Sequence, residues 1–217
     1  RRPPRYTPSN SSAASDVYKR QVLVCASDKP WQNINDLIED AKKRPVKITY
    51  GSPKAWMSQL GILIFSQVTG IELQHMTTMS ESPAFNNTLK GYTDIHLSTE
   101  VTTVEPKVKD GTLRALAVFS EVRDPLLPDV PTLKELGINV VVAPWIGIAA
   151  RKNCPDKAVK FLRDNFDKLV RDDENFAKRI SESGGRVNYM GGEDFAKDWQ
   201  RQADAYKHVL EDLEISK

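Results

Sequence analysis

Three short segments of the sequence combine small residues, hydroxyl side chains and charges that could bind an anion. They are GSPKAWMS at 51–58, MTTMSES at 76–82 and STE at 98–100. Each follows a predicted strand and precedes a predicted helix. The first turn of a helix presents unpaired N–H groups and a partial positive charge, which favours carboxylates and phosphates. Two hypotheses stay open for these segments: an anion-binding site, or hydroxyls that only cap helices.

The segments around these loops alternate between strand and helix patterns. Between the strands, apolar residues at helical spacing predict helices, the first of which begins after the N-cap residue Asn33. Short apolar runs and period-two alternation predict the strands, at 22–26, 46–50, 71–75, 94–97 and 114–119. This alternation predicts an α/β fold with a doubly wound, mostly parallel sheet, in which ligands bind at the carboxyl ends of the strands.

The pattern changes after residue 119. The run RDPLLPDVPT contains three prolines and predicts an extended surface segment. We predict a short helix at 133–136, short strands at 139–142 and 143–150, and three helices at 155–170, 173–183 and 193–213. Three helices with so few strands need a sheet from elsewhere in the protein to pack on.

Motifs of several common enzyme classes are missing from the sequence. It has no GxSxG elbow, no GxxxxGK[ST] phosphate loop and no GxGxxG dinucleotide motif. Cys25 and Cys154 are far apart in sequence, and the histidines at 75, 96 and 208 lack metal-ligand spacing. We therefore predict no enzymatic activity, no metal ion and no cofactor, although nucleophile–base pairs formed only by the fold stay open. The four dispersed tryptophans predict no stacking surface for nucleic acid.

The net charge of +2 combines two unlike parts of the chain. Residues 1–21 contain five basic residues and one acidic residue, so the remainder carries a net charge of −2. The string SSAASDVYKRQ at 11–21 resembles the in-frame translation of a sequencing adapter. We interpret 1–21 as a non-native segment joined to a gene that lacks its 5′ end, and we expect it to make few buried contacts.

A longer stretch, from residue 75 onward, resembles a known family. Its most specific parts are GTLRALAV at 111–118 and LPDVPT at 127–132, with Gly91, Asp94 and the Gly191-Gly192 pair in support. These strings are similar to the receptors of tripartite tricarboxylate transporters, the Bug-type periplasmic binding proteins. The resemblance covers essentially all of 22–217.

The resemblance implies a type II periplasmic-binding-protein fold, with two lobes and a ligand cleft. By the family pattern, 22–142 is lobe 2, the ligand-binding α/β lobe, 143–217 is the C-terminal part of lobe 1, and the N-terminal part of lobe 1 is missing. The implied protein is a monomeric receptor of the bacterial periplasm. It binds a small organic acid or amino acid and delivers it to the membrane subunits of its transporter.

The same resemblance assigns ligand-binding roles to residues in the three loops. Two departures lie in the same region: the family's glycine-rich run is replaced by PKAW at 53–56, and its PYKG run by TTMS at 77–80. Lys54 could bind a carboxylate and Glu100 an ammonium group, but ordinary surface charge remains the alternative for both. The expected ligand-binding residues are Gly51, Ser52, Lys54, Ser58, Thr77, Thr78, Ser98 and Thr99.

Two rival interpretations share this fold class. One is the effector-binding domain of a LysR-type transcription regulator, which would require a helix-turn-helix upstream. The other is a two-lobed transferase similar to porphobilinogen deaminase, which would require a loaded cysteine or a catalytic acid in the cleft. Cys25 and Cys154 are poorly placed for that chemistry, and LPDVPT favours the transport receptor.

Overall fold

The computed structural model describes residues 15–142, 144, 150–151, 153–182 and 185–212. The chain divides into two compact units, Lys19–Pro144 and a second that contains the described residues after 144 together with Ser15–Tyr18. The strands are β1 (Ser15–Lys19), β2 (Val22–Ala26), β3 (Thr49–Pro53), β4 (Gln74–Thr78), β5 (Ile95–Ser98), β6 (Leu113–Val118) and β7 (Gly185–Tyr189). The helices are α1 (Ile34–Lys43), α2 (Met57–Thr69), α3 (Glu81–Leu89), α4 (Val101–Lys109), α5 (Asp156–Asp172), α6 (Glu174–Glu182) and α7 (Gly192–Asp212).

The Lys19–Pro144 unit is built on a five-stranded sheet in the order β4-β3-β5-β2-β6. β3 runs parallel to β4 and β5, whereas β2 runs antiparallel to both β5 and β6. Four strands therefore share one direction, as predicted, and β2, which lies between β5 and β6, opposes them. A continuously apolar strand that is buried on both faces carries no information about its direction, so the sequence did not reveal this reversal.

Helices cover both faces of this sheet, which confirms the prediction of a doubly wound α/β arrangement. Along β2, Leu23 and Cys25 join a core beneath α1 and α2, whereas Val22 and Val24 join a second core beneath α3 and α4. Every residue of β2 is buried. The alternation of side chains along a strand explains this division between two cores.

Gly61 allows α2 to lie close to the sheet. A Cβ atom on Gly61 would overlap with Cδ2 of Leu97 on β5. Any side chain at this position would therefore displace the side chain of Leu97 or push α2 away from the strand beneath it. Because α2 begins at one of the three hydroxyl-rich loops, this close approach fixes the position of that loop.

Asp94, which lies directly before β5, connects two strands at their amino-terminal ends. Its carboxylate accepts hydrogen bonds from Nζ of Lys29 at 2.6 Å and from both N–H and Oγ1 of Thr49 at 2.8 Å. Burial acts to raise the pKa of Asp94, but the hydrogen bonds from Lys29 and Thr49 outweigh it and hold that pKa below its ordinary value. These hydrogen bonds give Asp94 a structural role, which explains why it is one of the residues that resemble the family.

Replacing Asp94 with asparagine should lower the free energy of unfolding by roughly 1–2 kcal/mol at neutral pH, because it removes a charge-assisted bond to Lys29. A depressed folded-state pKa stabilises the native protein above the unfolded-state pKa of about 4, and this stabilisation disappears as pH falls through the folded-state value. The stability gap between wild type and Asp94→Asn should therefore narrow below about pH 4. Urea unfolding at several pH values measures this, and a gap that widens in acid would contradict the assignment.

The proline-rich segment after β6 is hydrogen-bonded to the end of that strand. The N–H of Val118 donates to the carbonyl of Pro131, and the N–H of Leu133 donates back to Val118. The predicted helix at 133–136 is a turn, and 139–142 forms no strand, although Val142 donates to the carbonyl of Phe119. Residues 133–136 are too few to form the hydrogen bonds of a regular α-helix, and Gly137 ends the turn in a left-handed conformation with φ of 78°. Most of the predicted strand at 143–150 lies outside the described residues.

The second unit contains the three predicted helices, α5, α6 and α7, and a small sheet. That sheet pairs β1 with β7, a strand that was not predicted from the sequence. On α5, Val159 is buried, whereas Phe161 and Leu162 are 66% and 47% exposed. α5 therefore presents apolar side chains to solvent within this unit.

The expectation of few contacts for 1–21 is wrong at the end of that segment. Ser15–Lys19 forms β1, Arg20 bonds to Asp124 at 3.3 Å, and Gln21 is fully buried. A segment with Val17 and Tyr18 has strand propensity, and it continues directly into the buried strand β2. Residues 1–14 lie outside the described residues.

Candidate ligand-binding site

The three loops singled out in the sequence meet at one edge of the sheet. β3, β4 and β5 are parallel, so their carboxyl ends lie together, and α2, α3 and α4 begin there. The N-cap residues Trp56, Ser80 and Glu100 make no side-chain capping bond to these helices. By contrast, α1 begins at the opposite edge, and Asn33 caps it by accepting from the N–H groups of Asn35 and Asp36. The predicted edge therefore contains three helix ends without side-chain caps, which suits an anion.

The first loop contributes both buried and exposed predicted residues. Gly51 and Ser52 lie on β3, and both are buried. Ser58 is fully buried in the first turn of α2, and its hydroxyl donates to Oε1 of Glu81 at 2.5 Å. Lys54 is exposed at the rim of this edge. The hydroxyls of Ser52 and Ser58 are therefore already engaged, whereas the charge of Lys54 faces solvent.

The other two loops bring four more predicted residues to the same edge. Thr77 and Thr78 end β4, where Thr77 is exposed and the hydroxyl of Thr78 donates to the carbonyl of Ser80 at 3.0 Å. Ser98 ends β5 and is 4% exposed, and its hydroxyl accepts from the N–H of Glu100 at 3.2 Å. Thr99 is half-buried beside it. All eight residues expected from the sequence thus lie along this edge, with Thr77 and Lys54 the most open.

A serine–histidine pair lies at this edge, so its chemistry has to be considered. Nε2 of His75 lies 2.8 Å from Oγ of Ser52 and 3.0 Å from the carbonyl oxygen of Ser52. A carbonyl only accepts, so Nε2 carries the ring proton. Gln59 accepts from the N–H of Ala55 through Oε1, which leaves its amide nitrogen to donate to Nδ1 of His75 at 3.2 Å. The nitrogen that faces Ser52 is therefore a donor, and it cannot act as a base toward that hydroxyl.

The hydrogen bonds around His75 give it a structural role. Its ring stacks on Tyr50 with a centroid separation of 4.9 Å, and burial raises the pKa of the Tyr50 hydroxyl to about 12. Together with Ser52 and Gln59, these rings fix the position of the loop between β3 and α2. The pair thus supports the backbone that forms the edge.

A second polar cluster links α2, α3 and β5. Besides the bond from Ser58, Oε2 of Glu81 lies 3.4 Å from Nε2 of His96, and Nδ1 of His96 lies 3.2 Å from the carbonyl oxygen of Gly51. The side chain of Glu81 is 24% exposed, and that of His96 is 1% exposed. Burial lowers the pKa of His96 to about 4, against a smaller opposing effect from the Gly51 bond. The imidazole is therefore neutral at neutral pH, and this contact is not an ion pair.

Glu81 has an unusual environment for a carboxyl group. Burial raises its pKa above the ordinary value, the bond from Ser58 lowers it, and the charge of Glu100 raises it again. Oε2 is buried and has no hydrogen-bond partner among the described residues. A buried oxygen without a partner is costly in free energy, unless a proton lies between it and His96.

The sequence did not predict a role at this edge for Gln59, His75, Glu81 or His96. The two histidines were considered only as metal ligands, and Glu81 was treated as part of a hydroxyl-rich loop. One signal was available: His96 interrupts the apolar strand IHLS, and a polar residue in a buried strand needs a partner. The identity of that partner depends on the fold, because Glu81 comes from a different loop.

Neither metal chemistry nor thiol chemistry has support in the described part of the chain. No group of three or more His, Cys, Asp or Glu residues there could hold a metal ion. Cys25 and Cys154 are free thiols, and burial raises the pKa of Cys25 to about 11 despite the nearby Arg114. None of the described helices combines the length and apolar character needed to cross a membrane.

Comparison with known proteins identifies the fold. A solved structure of the periplasmic binding protein BugD superposes with a TM-score of 0.76 at 25% identity, covering 93% of this chain and 68% of BugD. MatC of Rhodopseudomonas palustris with bound malate superposes with a TM-score of 0.77 at 18% identity, covering 92% of this chain and 69% of MatC. This likeness establishes the fold.

Curated sequences and a family model give the same result. A UPF0065 protein of Cupriavidus necator is 29% identical over 197 residues, which are 90% of this chain and 59% of the relative. The chain spans 44–59% of the length of the curated relatives it matches. The model of the tripartite tricarboxylate transporter family receptor matches residues 13–215. The structural neighbours are solute-binding receptors and not enzymes, and the chain belongs to the tripartite tricarboxylate transporter receptor family.

Proposed function

We propose that the protein is a periplasmic receptor that binds a small organic carboxylate and delivers it to a tripartite tricarboxylate-type membrane transporter. The ligand contacts the carboxyl ends of β3, β4 and β5, where α2, α3 and α4 begin. The observation that carries the proposal is the absence of side-chain caps on these three helices, beside a capped α1 at the opposite edge. Malate bound to MatC, a protein of the same fold, supports a carboxylate as the ligand.

Within this proposal, the lobes and residues keep the roles expected from the sequence. Residues 22–142 form the ligand-binding lobe, and 143–217 belong to the other lobe of a monomeric receptor. Thr77 and Lys54 contact the carboxylate directly because they are exposed at the edge. Gly51, Ser52, Ser58, Thr78, Ser98 and Thr99 shape the backbone around it. An amino acid is the second ligand class, since Glu100 lies where an ammonium group could bind. Membership of the receptor family does not support the alternative, in which the chain is the effector-binding domain of a LysR-type transcription regulator.

Nuclear magnetic resonance tests the location of the site even if binding is weak. Titration with malate and other mono- and dicarboxylates should shift the backbone N–H signals in the first turns of α2, α3 and α4. The first turn of α1 should not respond. The absence of any response at roughly 20 mM ligand, where even millimolar binding saturates, would overturn the proposal. Shifts confined to other elements would place the site elsewhere.

Thr77→Val should weaken binding about 10-fold, because a hydrogen bond to a charged group contributes about 1.5–3 kcal/mol. The matched control is Thr69→Val. Thr69 donates to the carbonyl of Phe65 near the end of α2, at the opposite edge of the sheet. Both substitutions remove one hydroxyl at nearly constant volume. Equal effects on affinity would show that Thr77 does not contact the ligand.

A further inference from the structure

We propose that Glu81 is a specificity-determining residue of this site: it shares a proton with Nε2 of His96, and the site accepts an anionic carboxylate only while that proton is present. Ligand binding is then coupled to proton uptake. This inference rests on the proposed function, and it adds a condition on the charge of the site.

The position of one proton follows from the partners of His96. Nδ1 lies 3.2 Å from the carbonyl oxygen of Gly51, which only accepts, so Nδ1 carries the ring proton. Nε2 of the neutral ring is then an acceptor, and it lies 3.4 Å from Oε2 of Glu81. An ionised Glu81 would place two acceptors against each other. A proton on one of these two atoms removes that repulsion and satisfies both.

Glu81 is the group that holds this proton. His96 is 1% exposed, and burial lowers its pKa to about 4, so a cationic ring is disfavoured. The carboxyl group of Glu81 has the opposite tendency, because its burial favours the neutral form. Ser58 donates to Oε1, so the other oxygen, Oε2, is the one that can donate to His96. The pair is thus neutral and hydrogen-bonded when Glu81 is protonated.

The location of Glu81 connects this proton to the ligand. Glu81 is the first residue of α3, one of the three helices whose first turns form the proposed site. Its side chain remains 24% exposed, so a bound carboxylate would lie near it in a partly dehydrated site. An ionised Glu81 would repel such a ligand, whereas a protonated Glu81 would not. Binding therefore favours the protonated form, and by linkage protonation favours binding.

Other charged groups at this edge come from each neighbouring element. Glu100, before α4, disfavours ionisation of Glu81 through its own charge. His75 on β4 is directed at Ser52 and Gln59. Lys54, in the loop before α2, is exposed to solvent. Across the Glu81–His96 contact, both atoms would be acceptors if Glu81 were ionised, and a proton on Glu81 removes that conflict.

Three measurements test the proposal. Carbon-13 resonances of the Glu81 carboxyl should show titration above the ordinary range for glutamate, without any ligand. Calorimetric titration with malate in buffers of different ionisation enthalpy should show proton uptake on binding. Affinity should fall by up to about tenfold per pH unit above the Glu81 titration, the limit for one linked proton. Glu81→Gln, which mimics the neutral acid, should retain binding and lose both the proton uptake and this slope.

The outcomes separate this inference from the proposed function. Carboxylate binding with no proton uptake and an ordinary Glu81 titration would leave the receptor assignment intact and overturn the proton coupling. Loss of binding in Glu81→Gln at every pH, with the fold retained in its N–H spectrum, would show that the site requires the carboxyl group of Glu81 itself and not merely a neutral side chain. That result would also overturn the proposal. If Glu81→Gln does not fold, the titration and proton-uptake measurements on the wild type decide.

Discussion

Replacing Arg114 with leucine is expected to lower the free energy of unfolding by about 3–5 kcal/mol, because it removes three hydrogen bonds from one charged group. The guanidinium donates to the carbonyl oxygens of Ser27, Lys29 and Trp31 at 2.9–3.2 Å. These carbonyls belong to the loop between β2 and α1. Arg114 thus attaches this loop to β6 and fixes the position at which α1 begins.

Urea unfolding followed by tryptophan fluorescence suits this experiment, since Trp31 is 3% exposed and belongs to the attached loop. Arg114→Lys keeps the charge but loses the planar fork, so it should recover only part of the stability. Lys42→Leu removes a cation from the exposed face of α1 and should change stability by less than about 0.5 kcal/mol. Equal losses for Arg114→Leu and Lys42→Leu would show that the three bonds contribute nothing.

Arg114 also illustrates how a family pattern relates to physical causes. The string GTLRALAV supported the family resemblance, but no pattern in the sequence indicates why arginine occupies its fourth position. The structure supplies the reason, because the partners of Arg114 are 83–87 residues away in the chain. Asp94 is a similar case, with a partner in Lys29 that lies 65 residues away. Backbone carbonyls have no sequence pattern, so no motif could predict these contacts.

Local rules predicted most of the regular elements in the Lys19–Pro144 unit. Asn33 caps α1 as expected, and Gly70 ends α2 in a left-handed conformation with φ of 67°. The direction of β2 was not predictable, because its five buried residues satisfy both cores in either direction. β7 was missed because its GRVNY sequence is a short, largely polar run next to glycines, which commonly follow the ends of helices. Pairing with β1 depends on distant chain, which local rules do not include.

The location of the candidate site was predictable from the sequence, but the contacts among its polar side chains were not. Loops that follow parallel strands meet at one edge, so residues 51–58, 76–82 and 98–100 could be grouped from the sequence. The bonds from Ser58 to Glu81, and the contact of Glu81 with His96, join residues from three elements. Only the packing of α2 and α3 on the sheet brings them together. Among the hydroxyl residues predicted to bind the ligand, Ser52 is therefore buried and supports the loop. Thr77 is exposed to solvent.

The second large effect concerns ligand affinity. We expect this chain to bind a carboxylate at least about 100-fold more weakly than a chain extended to the full length of its relatives. Each charge-assisted hydrogen bond contributes about 1.5–3 kcal/mol, and less where water competes. Micromolar affinity needs about 8 kcal/mol beyond an association cost of at least about 4 kcal/mol. The few donors on one open sheet edge fall short of that sum, so a second wall has to supply the difference.

Exposed apolar side chains beside the site also indicate that a second wall covers the ligand. Trp56, Met76 and Met79 flank the edge and are 51%, 42% and 97% exposed. Exposed apolar groups around a polar site are typical of a surface that another part of a receptor covers. Calorimetry of the two chains with the same acid measures the affinity difference, and Met79→Ser should weaken binding in the extended chain alone. Equal affinities would contradict this expectation, because the edge of the Lys19–Pro144 unit would then be sufficient for binding without a second wall.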